Sequence, residues 1–343
     1  MATQDIAAPD MQPAPDPADH MPRLPVLDGW RGLSIVLILA CHIIVPLGLA
    51  GWDINLTVGL IGMAIFFTLS GFLIVRSLYQ DSSVRNFAIR RLARILPIAW
   101  LFLILTLPFL HANRAMWQAN LLFYSNRPPF YFTETTGHFW SLCVEVQFYL
   151  AIGLTFAVLR RRAFLLLPIA CLAVTAYRIV HHQTYNIETR FRIDEILSGA
   201  TLAWLFHGKH SAWLKRALTW LNPIVPVVLL CLSGHPAFPA LNYARPYIAA
   251  LSVGTTLYHP RSFWSRFFES RTLAYLATLS YALYVWQPLS THPPYWPTSV
   301  FSTYVSTELG LPITFFVAYC STHYYERFWI NLGKRFLIRN RTA

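Results

Sequence analysis

Apolar runs long enough to cross a bilayer recur along this chain, and its basic residues fall mainly in alternate gaps between them. Ten such runs can be drawn, at about 32–50, 57–78, 95–111, 139–159, 163–180, 193–207, 219–233, 246–259, 272–289 and 304–325. A helix needs about 20 apolar residues to span the hydrocarbon core, and in lipid the backbone must satisfy its own hydrogen bonds. Only 12% of the 343 residues are charged and 55% are hydrophobic, whereas a soluble domain carries about 25% charged residues. The fold class expected is an all-α integral membrane protein, a bundle of about ten transmembrane helices. The sixth to eighth runs are short or broken by Pro223, Pro226 and Pro246.

Charge predicts the orientation. With the N-terminus in the cytoplasm and each run crossing once, the inner gaps hold Arg85, Arg90, Arg91 and Arg94, then Arg160, Arg161 and Arg162, and most of the other Lys and Arg. Cytoplasmic loops carry such an excess, so both termini are expected to be cytoplasmic. The same spread explains the net charge of +12 without a nucleic-acid partner. Residues 1–25, rich in Pro, Ala and Asp, read as a disordered cytoplasmic tail. They lack the basic start of a secretory signal. Residues 26–330 form the expected membrane domain, and 331–343 a basic cytoplasmic tail. Cys41, Cys143, Cys171, Cys231 and Cys320 show neither zinc nor disulfide spacing, so no metal is expected. The intervening outer segments 112–137, 181–192 and 293–297 are aromatic and polar, as sugar-stacking surfaces or an interfacial aromatic belt would be.

Four stretches carry candidate chemistry. Arg31 opens the first run and His42 lies within it, about three turns further on, hence on one face and roughly 16 Å along the axis. A histidine inside a membrane span is a functional candidate, whether in a hydrolase, an acyltransferase or a proton-coupled transporter, or as a packed, hydrogen-bonded core residue. Ser70 and Gly71 end a small-residue patch that lets helices approach or leaves room for a thin ligand. Arg91 and Arg94 share a helix face and suit either a phosphate-bearing ligand or anionic lipid. Glu145 lies deep in the fourth run, seven residues beyond His138 and on the same face. It needs a partner there, for which His42 and the arginines are available.

In order along the chain, these stretches resemble the acyltransferase 3 family of multi-pass membrane acyltransferases. Leu27 to His42 is similar to the family's Arg-x10-His opening, Phe66 to Leu73 to its FF-x-LSGFL stretch, and Arg91 to Pro97 to its Arg-x-x-Arg motif. His138 to Tyr149 resembles H-x-WSL-x-VE-x-QFY, the most specific of the set. Arg192 to Gly199 and Ser280 to Trp286 match later landmarks. The resemblance covers residues 24 to 330. It implies a protein of the bacterial inner membrane that moves an acyl group, often acetyl from acetyl-CoA as co-substrate, onto a glycan, glycolipid or glycosylated small-molecule hydroxyl. His42 and Glu145 would then be catalytic. Arg31, Arg91, Arg94 and Ser70 would bind the donor. His138, Trp140, Ser141, Gln147, Tyr149, Arg192 and Asp194 would shape the substrate site. Gln287 stands where the family often has a histidine, so no role of that histidine carries over. The competing expectation is a multi-pass transporter of a sugar- or lipid-linked substrate, against which the chain shows no internal repeat.

Overall fold

The computed structural model describes residues 21–43, 48–49, 52–259, 262–291 and 300–338. These residues are almost entirely helical. The longer helices are α1 (Pro25–Ile43), α2 (Ile54–Gln80), α3 (Val84–Thr106), a short α4 (Arg114–Leu121), α5 (Trp140–Leu159) and α6 (Leu166–Val180). A four-residue α7 (Thr189–Arg192) leads into α8 (Asp194–His207), followed by α9 (Ser211–Trp220), α10 (Ile224–Leu232) and α11 (Pro239–Tyr258). The remainder are α12 (Phe263–Phe268), α13 (Arg271–Trp286), α14 (Pro288–Thr291), α15 (Val300–Cys320) and α16 (Arg327–Arg335).

By length and composition, four stretches among the described residues can cross a membrane: Pro25–His42, Ile54–Gln80, Val84–Leu110 and Gly137–Val180. A fifth arises if α9 and α10, bent by 81°, count as one broken span. The last of the four contains both α5 and α6, separated by a 3₁₀ turn that begins at Arg160 with φ 52°. Helices α8, α10 and α13, at 14, 9 and 16 residues, fall short of the usual span length.

The first helix departs most from the sequence expectation. Its described part runs from Pro25 to Ile43, and Gly48–Leu49, inside the expected run, pair with Trp52–Asp53 in a two-residue antiparallel ladder instead of continuing the helix. Pro46, Gly48 and Gly51 in the sequence disfavour a helix running on to residue 50, since proline and glycine are both poor in helix interiors. His42 therefore sits in the last helical turn rather than halfway along a span. Helix α3, in contrast, starts well before residue 95 and carries Arg91 and Arg94 inside one continuous helix. Ser83 caps it by accepting from the Asn86 backbone N–H. Asp81, in the connecting loop, accepts from the Ser83 backbone N–H, the Asn86 side chain and Arg90. Burial pushes that carboxyl up, but these donors outweigh it and hold it below the ordinary carboxylate range.

Helices α1, α2, α8 and α13 form the centre of the bundle. Trp30 stacks on Phe268 at 4.0 Å and donates to Thr256, fixing α1 against α11 and α12. A Cβ on Gly71 would lie 1.9 Å from the Ile196 carbonyl oxygen, and one on Gly199 would lie 1.8 Å from that of Thr68. The small-residue patch is thus filled by the backbone of α8, and Gly71 leaves no space for a ligand. The five cysteines are free. The aromatic segment 293–297 and most of the N-terminal tail lie outside the described residues.

Candidate active site

Two cavities lie at successive levels of the bundle, and the same helices wall both. The first, of about 320 Å³, is lined by His42 and Cys41 of α1, Leu56 to Met63 of α2, Trp140 and Ser141 of α5, and Tyr284 of α13, together with Asp53, Asn55, His138, Tyr185, Arg192 and Gln287 among others. Its volume falls at the lower end of ligand pockets, which run about 300–1,000 Å³. The second, of about 60 Å³, is lined by Arg31 of α1, Phe66 to Leu73 of α2, Arg91 and Arg94 of α3, Glu145 and Tyr149 of α5, and Ser280 and Tyr281 of α13. Each of α1, α2, α5 and α13 therefore contributes to both.

In the histidine cavity, the exposed His42 ring is oriented by its own helix. Nδ1 lies 2.7 Å from the Ile38 carbonyl oxygen, with the Cys41 thiol 3.0 Å away. A carbonyl can only accept, so this contact needs a proton on Nδ1, and in the neutral ring it leaves the lone pair on Nε2. Ser141 donates to the Tyr284 hydroxyl at 2.9 Å, and that hydroxyl donates to the His138 carbonyl at 2.5 Å. The His138 ring meets Phe102 and Tyr284. Trp140 packs edge-on to Phe67 and lies under the Arg192 guanidinium, 5.6 Å from the ring centre.

The arginine cavity gathers the other motifs. Arg31 bonds Asp28 at 3.1 Å and donates to the Ala277 carbonyl at 3.1 Å. Arg91 donates to the Leu73 carbonyl and lies over the rings of Phe87 and Tyr149. Arg94 lines the cavity half-buried, and among the described residues it makes no hydrogen bond, so its donors remain available to a ligand. Tyr149 donates to Glu145 at 2.5 Å, and Ser70 donates to the same carboxylate oxygen.

Glu145 thus takes its hydrogen bonds from Ser70 and Tyr149 rather than from His42, with Arg91 and Arg94 in the same cavity. His138 lies in a 3₁₀ turn ahead of α5 and lines the other cavity. Two further residues sit behind the cavities. Gln147 donates to the Phe123 carbonyl and Asn126 and accepts from Thr189, tying α5 to the 122–137 segment and to α7. Asp194 is wholly buried, accepting from Arg178 at 2.6 Å and Thr175 at 3.2 Å, which pins α6 to α8.

Sequence reasoning missed the contact between the two cavities. Phe66 lines the arginine cavity, Tyr284 lines the histidine cavity, and their rings stack with centroids 6.2 Å apart. The available signal was the helical spacing of Ser280, Tyr281 and Tyr284, which places them along one strip of α13. Among the described residues no cluster of three His, Cys, Asp or Glu side chains could hold a metal ion.

A family model described as an acyltransferase domain matches residues 24–322. The chain is 26% identical over 313 residues to the peptidoglycan O-acetyltransferase OatA of Listeria monocytogenes, covering 77% of this chain and 48% of that protein. It is 25% identical over 317 residues to the O-acetyltransferase OatA of Staphylococcus aureus, covering 78% and 50%. The chain spans about half the length of these curated relatives. No solved structure matches it.

Proposed function

Because the chain belongs to the acyltransferase 3 family, we propose that it is a multi-pass membrane O-acetyltransferase, moving acetyl from acetyl-CoA to a hydroxyl of a cell-surface or exported glycan. The observation that carries this reading is the pair of cavities joined by shared helices. One holds an oriented histidine whose Nε2 has no hydrogen-bond partner among the described residues, and the other holds three arginines. The names of the relatives support a glycan acceptor. In this reading the ten helical runs cross the bacterial cytoplasmic membrane with both termini inside, so the arginine cavity faces the cytoplasm and the histidine cavity faces outward.

The CoA phosphates bind Arg94 and Arg91, because guanidinium matches phosphate oxygens bidentately. Arg31 adds charge at the same level, and Glu145, held by Ser70 and Tyr149, keeps Tyr149 under Arg91. The pantetheine arm passes the Phe66–Tyr284 stack and brings the thioester to His42. His42 Nε2 takes the proton of the acceptor hydroxyl as that oxygen attacks the thioester carbonyl. A cavity of about 60 Å³ is far smaller than ligand pockets, which run about 300–1,000 Å³, so Phe66 and its neighbours move when the donor enters. Transport is not favoured, since the family match is to an acyltransferase.

The test is thioester turnover by the purified protein in detergent with acetyl-CoA and peptidoglycan strands as the first acceptor. Release of CoA together with acetyl ester on a glycan is expected. Movement of a sugar- or lipid-linked substrate across a vesicle without CoA release would replace this reading by transport.

A further inference from the structure

Next to the histidine cavity lies a charged cluster that the mechanism above leaves unused. Arg178, Arg192, Arg245, Asp194 and Glu195 are all at most 1% exposed. Three guanidinium groups face two carboxylates, so the cluster carries one uncompensated positive charge, and a buried charge is costly unless paired. Asp194 is taken up by Arg178. Arg192 and Arg245 approach Glu195 at 3.5 and 3.9 Å, beyond a good hydrogen bond. Arg192 Nε and Nη2 have no hydrogen-bond partner among the described residues.

Arg192 is the one member of this cluster that lines the cavity holding His42. Its guanidinium rests over Trp140, and its short helix is held by Thr189, which donates to Gln147 and accepts from Asn126. It is therefore a fixed, desolvated cation on the wall of the cavity that holds His42, with two buried donors that no described residue takes up. Preorganised donors of this kind act on charge that develops in a transition state.

We propose that Arg192 is the oxyanion donor of the acyl transfer, an assignment that rests on the function proposed above. As the acceptor oxygen bonds to the thioester carbon, its proton passes to His42 Nε2, and the carbonyl electron pair moves onto the carbonyl oxygen. Arg192 donates to that oxyanion. The carbonyl then re-forms, the carbon–sulfur bond breaks, and the CoA thiolate leaves with the proton from His42.

The experiment compares binding of two probes to the full chain in detergent: CoA, and methylphosphonyl-CoA, an anionic tetrahedral mimic of the adduct. Wild-type protein is expected to prefer the phosphonate over CoA. In Arg192→Gln that preference falls by about 10²–10³-fold, the usual loss on removing one oxyanion donor. CoA affinity stays unchanged, which also reports an intact fold. Arg192→Lys, keeping the charge without the fork, is expected to lie between them. Equal loss for both probes in folded variants, or an unaltered preference, overturns the assignment. So does a wild-type protein that binds CoA without preferring the phosphonate, a result that leaves the donor reading standing. A wild-type protein that binds neither probe overturns the donor reading and this assignment with it.

Discussion

Replacing His42 with alanine is expected to lower acetyl transfer by about 10²–10⁴-fold, the range that a positioned general base contributes. The fold should survive the change. The ring is exposed, and its bond goes to the Ile38 carbonyl of its own helix, so no packing between helices depends on it. Exposed substitutions of this kind shift stability by about 0.5 kcal/mol or less. Acetyl-CoA affinity should also be retained, because the arginines proposed to bind its phosphates lie about three turns away along the bundle. Steady-state kinetics of the His42→Ala protein, with its thermal midpoint in detergent, check all three statements. A fully active variant would remove the histidine from the chemistry.

The second large effect is expected at the arginine cavity, and there Arg94 and Arg91 should differ. Arg94 has no hydrogen bond to lose among the described residues, so Arg94→Ala is expected to act mainly through the proposed phosphate contacts. A hydrogen bond to a charged group contributes about 1.5–3 kcal/mol, which corresponds to a rise of about ten- to hundredfold in the KM for acetyl-CoA. The kcat should change little, because the reacting carbonyl is remote. Arg91 also donates to the Leu73 carbonyl and covers Tyr149. Its removal should raise KM and, in addition, lower the thermal midpoint by loosening α3 against α2. Lysine should not rescue Arg94 fully, since a point charge lacks the bidentate fork. Measuring KM for acetyl-CoA against dephospho-CoA thioester in each variant separates phosphate contact from general positive charge.

Much of this arrangement was legible in the chain. The spacing of Arg31 and His42 placed them on one face of one helix, and the structure puts them at the walls of two cavities along it. Arg91 and Arg94 were paired by their spacing and do line one cavity. Glu145 was less readable. A seven-residue step keeps a residue on the same face but moves it about 10 Å along the axis, far enough to pass from one cavity to the next. The sequence offered the face and concealed the level. Gln147 and Asp194 illustrate a second limit: motif resemblance marks a polar residue without saying whether it meets substrate or fastens helices. Both are satisfied by protein partners. The cluster around Glu195 could not be assembled from spacing, because Arg245 reaches it from α11.

The far end of the first run shows a third limit: Gly48–Leu49 lie in a strand, not in a helix. Apolar composition continues to Leu49, but composition does not register where proline and glycine interrupt a helix. In the proposed function this bears on the acceptor, because His42, in the last turn of the described helix, lines the cavity that the acceptor would enter.

The central claim is that donor and acceptor reach one reaction path from its two ends. Reconstitution into sealed vesicles of known orientation tests this most directly, with radiolabelled acetyl-CoA confined to one side and peptidoglycan strands to the other. Transfer is expected when acetyl-CoA faces the arginine cavity and the glycan faces the histidine cavity, and it should fail when the two are exchanged. Equal transfer in both arrangements, or transfer only in the exchanged one, would contradict the account.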